Sequence, residues 1–156
     1  MAKTDRLIPV AAAVVMGMGM GIVPAMAGDP ISAFTGHWRV AKVAVPDIGV
    51  QALADNDPSL MGKRLTFTST RLAWDRTPST GDVCEAPDFQ PLERLPPDVQ
   101  PELRKLGMRQ PVAYAVHCQS GMWGPGRDPV IYRGAAGALA LPWYDNAVMM
   151  LVREPT

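Results

Sequence analysis

Little in this chain is suited to catalysis. It has two histidines, His37 and His117, and two cysteines, Cys84 and Cys118. No serine lies in a Gly-x-Ser-x-Gly turn, and no glycine-rich loop is arranged to cradle a phosphate. Asp82, Glu85 and Asp88 near Cys84 could in principle form an acid–base pair, but acids are common in such loop-like stretches. His37 and His117 could share a metal or haem only if their strands converged, and a surface histidine is the simpler reading. No catalytic residue, cofactor or metal site is therefore assigned. The chain also lacks a charge excess, with 15 basic and 15 acidic residues. Nucleic-acid binding ordinarily shows a basic surplus, so no nucleic-acid partner is expected.

The front of the chain is different in kind. Lys3 and Arg6 precede an uncharged run from Val10 to Val23, Pro24 ends it, and Ala25-Met26-Ala27 has the small-x-small form that signal peptidase accepts. Residues 1–27 are expected to be a cleaved signal peptide, leaving a single domain over 28–156. The alternative is a retained anchor, which Pro9, Pro24 and Gly17, Gly19 and Gly21 would weaken as a membrane span. No cysteine follows the cleavage point to carry a lipid, and no twin arginine precedes it. Export to the periplasm or beyond is expected, with no stable membrane insertion after cleavage. Losing Lys3, Arg6 and Asp5 leaves a net charge of −1. In an oxidising compartment, Cys84 and Cys118 are expected to form one disulfide, since their spacing fits neither a C-x-x-C motif nor a zinc knuckle. Closing that loop is worth about 4 kcal/mol on the chain-entropy model.

The remainder is rich in short alternating segments. His37 to Val45 should be a strand with Trp38, Val40 and Ala44 on one face, Lys42 among them, and Val43 and Val45 on the other. A one- or two-turn helix over Val50 to Ala54 leads to Asp55-Asn56-Asp57-Pro58, a solvated turn without the glycine and distal glutamate of a calcium loop. Lys63 to Thr68 and Arg71 to Asp75 form a hairpin with Leu65 and Phe67 inward. Thr77 to Phe89 should be a loop with at most a short strand around Cys84. Asp98 can cap a helix from Val99 to Leu106 that Gly107 ends, its Leu95, Val99, Leu103 and Leu106 facing the barrel as a lid or packing helix over one open end. Strands follow at Val112 to Cys118, Val130 to Arg133, Ala138 to Trp143 and Ala147 to Arg153, with Gln119 to Asp128 a loop. This density of strands favours a mainly β fold, a small closed antiparallel barrel with one short helix.

The opening Gly36-His37-Trp38, close behind the leader, resembles the first strand of a lipocalin or related calycin barrel. That resemblance implies that Trp38 closes one barrel end and packs on an arginine from the last strand, for which Arg153 is the candidate. It assigns Trp38 and Arg153 a structural role. The mature chain is shorter than a full lipocalin, and the segment from Pro91 to Pro111 has no counterpart.

Phe67, Trp74, Tyr114, Trp143 and Met149 are then either core residues or the lining of an apolar pocket at the barrel mouth. The expected function is a non-enzymatic binding protein for a small apolar or amphipathic molecule held inside the barrel. The alternative is a protein-binding module, such as a protease or lysozyme inhibitor, acting through loops around Cys84 and Gly121 to Asp128.

Overall fold

The computed structural model describes residues 30–76, 82–125 and 129–155. Residues 1–27, expected from the sequence to be a signal peptide, lie outside them. Eight strands follow one another around a closed antiparallel barrel: β1 (Gly36–Ala44), β2 (Arg64–Phe67), β3 (Arg71–Trp74), β4 (Val83–Pro91), β5 (Val112–Met122), β6 (Val130–Arg133), β7 (Leu139–Pro142) and β8 (Val148–Arg153). Each pairs with the next and β8 returns to β1, so no strand stands at the edge of an open sheet. The fold is mainly β. Two short helices accompany it among the described residues: α1 (Pro30–Phe34), just ahead of β1, and α2 (Gln100–Lys105).

The β2–β3 hairpin has the expected register, with Leu65 opposite Trp74 and Phe67 opposite Leu72. Its turn is held by Thr68, whose hydroxyl accepts the Arg71 amide at 2.9 Å. β1 departs from simple alternation. A bulge between Val40 and Lys42 moves Val43 onto the inner face with Trp38 and Val40, and turns Ala44 outward. Without that extra residue Lys42 would point inward, and burying an unpaired ammonium is costly. Lys42 is exposed instead.

β4 corrects the later part of the loop expected over Thr77 to Phe89; residues 77–81 lie outside those described. Pro87 and Pro91 lie inside a nine-residue strand because β3 pairs only with Val83 to Glu85. The Ala86 amide still reaches the Thr70 carbonyl at 2.7 Å, but from Pro87 onward β4 pairs with β5 alone, so the missing proline N–H groups disrupt no second ladder. Phe34 of α1 covers this flank, its ring stacked on Phe89 at 4.2 Å. β5 likewise runs on to Met122 rather than ending at Cys118. Gly121, at φ +83°, sits so close to the Val83 carbonyl that a side chain would collide with it. Cys84 and Gly121, expected in exposed loops, are therefore directly paired in the sheet. The Cys84–Cys118 disulfide joins these two strands, with 5.1 Å between Cα atoms. Such a bond belongs to an oxidising compartment. Among the described residues, no helix is long and apolar enough to cross a membrane.

The segment expected to be helical over Val50 to Ala54 is a series of turns. Local polar side chains shape it: Asp55 accepts the Val45 amide at 2.8 Å, Asn56 accepts the Val43 amide at 3.2 Å, and Asp57 accepts the Ser59 amide at 2.9 Å. Those bonds compete with helix. The hydroxyl and amide of Ser59 hold the Asp57 carboxyl below its ordinary pKa.

Apolar residues form two layers, one on each side of the barrel wall. Inward side chains from all eight strands, including Trp38, Leu65, Leu72, Cys84, Val116, Ile131, Leu139 and Met149, make one continuous buried cluster. The second layer is outside. There Val99, Leu103, Leu106 and Met108 pack on Ala44, Ala113, Tyr132, Ala140 and Val148. The small outward residues let the helix lie close to the wall, so α2 is not a lid over an open end. Asp98 does not cap it either. A 3₁₀ turn, Pro97–Val99, leads directly into α2, and neither has a side-chain cap hydrogen bond.

Candidate functional site

At the end of the barrel where β1 starts, Trp38 is fully buried and its Nε1 donates to the Phe34 carbonyl at 2.8 Å. The Arg153 guanidinium lies 4.4 Å from the Trp38 ring centroid. It also donates to the carbonyls of Ala33, at 2.9 Å, and Thr35. Gly36 makes this possible, because a side chain there would run into Arg153. Phe34 meets Tyr114 edge-on at 5.0 Å, and Phe67 meets Trp38 at 6.3 Å.

The opposite end is closed by three indoles. Trp74, Trp123 and Trp143 lie 5.3–5.9 Å apart, and Tyr144 adds an edge-on contact to Trp143 at 5.2 Å. Asp82 ties this end together, accepting the Gly124 amide at 3.2 Å and the Tyr144 hydroxyl. Burial and the Asp82 carboxylate raise the pKa of that hydroxyl.

The five pocket residues expected from sequence are thus dispersed. Phe67 and Met149 are interior, Tyr114 sits beneath Phe34, and Trp74 and Trp143 belong to the tryptophan end. Only Trp143 borders an open hollow.

That hollow is outside the wall, a groove of about 840 Å³ between α2, the segment 46–51 and the turn Tyr144–Asn146. Val99, Tyr132 and Val148 give it an apolar floor, and Trp143 and Tyr144 line it near the barrel end. Asp47, Asp98, Glu102 and Asp145 also line it, and among the described residues no lysine, arginine or histidine does. Asp47 is neutralised by Lys105 at 2.6 Å, and Lys105 also donates to the Val45 carbonyl at 2.7 Å. The Asp47 hydrogen bond holds the Lys105 pKa above its ordinary value. Tyr132 is pushed up to about 12, by burial first and then by the Asp98 charge.

Glu102 is the residue that sequence reasoning missed. It is 4% exposed, the one buried charged residue among those described. No hydrogen-bond or ion-pair partner for its carboxylate occurs among the described residues. No oxygen is sealed away unpaired, so the carboxylate reaches the groove that the residue lines. A helix-period argument would have found its position one residue before Leu103, but the groove beside it depends on the tertiary fold.

The other polar candidates are occupied elsewhere. His37 shares a hydrogen bond with Thr66 at 2.9 Å on the outer surface of β1, while His117 is exposed on β5 opposite Asp88. Glu85 pairs with Arg71 at 3.1 Å, and Asp88 accepts from Gln90 at 2.6 Å. Among the described residues no three His, Cys, Asp or Glu side chains are grouped to hold a metal. Comparison with protein families, curated proteins and solved structures finds no match to this chain.

Proposed function

We propose that this chain is an exported, non-catalytic binding protein of calycin type, and that it takes a small apolar or amphipathic molecule. The observation that carries this reading is the contrast between a continuous packed interior and a groove on the outer wall. The volume of the groove falls within the roughly 300–1,000 Å³ usual for small-molecule sites. Its aromatic and apolar lining with a few carboxylates suits an amphipathic guest. The Trp38–Arg153 stack at the start of a closed eight-stranded barrel supports the calycin grouping. The charged start and apolar run ahead of Ala27, together with the disulfide, support export to the periplasm or secretion.

A second reading, a protein-interaction module of inhibitor type, is favoured by one observation. Ile48 and Val50, two residues apart beside the groove, are 81% and 101% exposed, and exposed apolar surface that is contiguous can anchor a partner.

Native mass spectrometry of the exported protein, purified gently from its own source, tests the first reading. The expected result is a small-molecule adduct that Trp143→Ala loses and Trp143→Phe retains. An adduct indifferent to Trp143 would move the site away from the groove. An adduct-free protein whose target binding fails with Ile48→Ser would favour the interaction module.

A further inference from the structure

We infer that the outer groove selects an organic cation, an alkylammonium-type group carried on an apolar chain, and that Glu102 receives its charge. The inference rests on the groove being the binding site, as proposed above, and adds the chemical class of the ligand.

Buried carboxylates in folded proteins are almost always paired or hydrogen-bonded, because removing a charge from water without compensation is costly. Glu102 departs from that pattern: the residue is only 4% exposed, its carboxylate has no partner among the described residues, and what access it keeps is to the open hollow it lines. Arg104, two residues on along α2, lines a different hollow, and Lys105, one turn on, is already engaged by Asp47, Asp55 and the Val45 carbonyl. The groove is therefore left with the carboxylates of Asp98, Glu102 and Asp145 and no cation of its own among the described residues. Beside them are the half-buried Trp143 ring and the exposed Tyr144 ring, whose faces attract cations and offer apolar surface to an alkyl chain. A carboxylate at the base, a second carboxylate at the mouth and aromatic walls match an amphipathic ammonium ion. They repel a fatty acid or any other anionic amphiphile.

A helix-stabilising role is the competing explanation, since acids are favourable in a helix's first turn, where Glu102 stands. That role is served equally well by an exposed acid and does not call for burial. The two explanations differ in sign. If Glu102 serves a ligand, neutralising it relieves the empty protein; if it serves the helix, neutralising it weakens the fold.

The test is titration of the mature protein with n-octylammonium, 1-octanol and octanoate below their aggregation concentrations, read by tryptophan fluorescence, with melting temperature measured in parallel. Octylammonium should bind tightest and octanoate weakest. Glu102→Gln should weaken octylammonium at least about tenfold, the scale for loss of a charged hydrogen-bond acceptor. It should leave octanol unchanged and the melting temperature equal or higher. Asp98→Asn, at an exposed position that folding tolerates, should weaken octylammonium about two- to threefold. Octanoate binding as tightly as octylammonium, or unchanged octylammonium affinity in both variants, would overturn the cation assignment even while octanol binding upheld the groove. Failure of all three probes to bind would instead remove the groove as a small-molecule site.

Discussion

The two ends of the barrel are closed by different physics. Where β1 starts, the closure is directional: the Trp38 indole N–H and the Arg153 guanidinium both bond backbone carbonyls of the segment just before the barrel. The Glu154 amide bonds the His37 carbonyl at 2.8 Å, and its carboxylate meets Arg64 at 3.1 Å. Where β1 finishes, Trp74, Trp123 and Trp143 meet mainly through their rings, one pair stacked, one edge-on and one tilted, and Asp82 accepts the Gly124 amide beside them. Hydrogen bonds to fixed carbonyls specify one geometry, whereas ring contacts of 5–6 Å tolerate several. One end is thus a rigid plug. The other is an adaptable surface that continues into the groove through Trp143 and Tyr144.

Substitutions can break that contrast. The largest effect is expected from Trp38→Ala, which removes a fully buried ring and its hydrogen bond; chemical denaturation should register a loss of about 3–5 kcal/mol. Opening the disulfide with Cys84→Ala and Cys118→Ala should cost about 2–5 kcal/mol in the same assay. Arg153→Leu should cost about 2–3 kcal/mol, because the ring stack and both carbonyl contacts are lost together. At the opposite end Trp143→Ala, at a half-buried position, should cost only about 1 kcal/mol while removing the bound guest. If Trp143→Ala proves as damaging as Arg153→Leu, the two ends are equally structural and the contrast falls.

The last effect appears only at alkaline pH. Tyr132, on the outer wall, has a folded pKa raised from 10 to about 12. Between those values the unfolded chain gives up the phenolic proton while the folded protein keeps it, so unfolding is favoured as pH rises. This contribution to stability is intact below about pH 10 and is lost progressively toward 12. Tyr132→Phe should flatten that part of the stability–pH curve. An unchanged curve would show that the hydroxyl is not held in a buried, negatively charged setting.

How much of this was legible depended on whether the signal was local. Leu65, Phe67, Leu72 and Trp74 declare the β2–β3 hairpin because their alternation and turn are contiguous in sequence. The closed mainly β architecture followed from the density of such segments. β4 was hidden because Pro87 and Pro91 argue against a strand unless one of its flanks is known to be unpaired. The β1 bulge was hidden for a similar reason: alternation gives parity, and only the neighbouring β8 register reveals the slip between Val40 and Lys42. The apolar face of α2 was visible, but its docking place was set by outward alanines on strands far apart in sequence, Ala44, Ala113 and Ala140. Asp98 resembled a cap, and Glu102 an ordinary surface acid of a short helix. Their shared position at a groove arises only when the helix lies on the wall.

The most direct measurement is of intermolecular NOEs between a bound amphiphile and methyl groups of the protein. Contacts to Val99 and Val148 on the outer wall, with none to Met149 or Leu65, are expected if the barrel is filled and binding is external. Contacts to Met149 and Leu65 would put the guest inside the barrel and contradict the central claim.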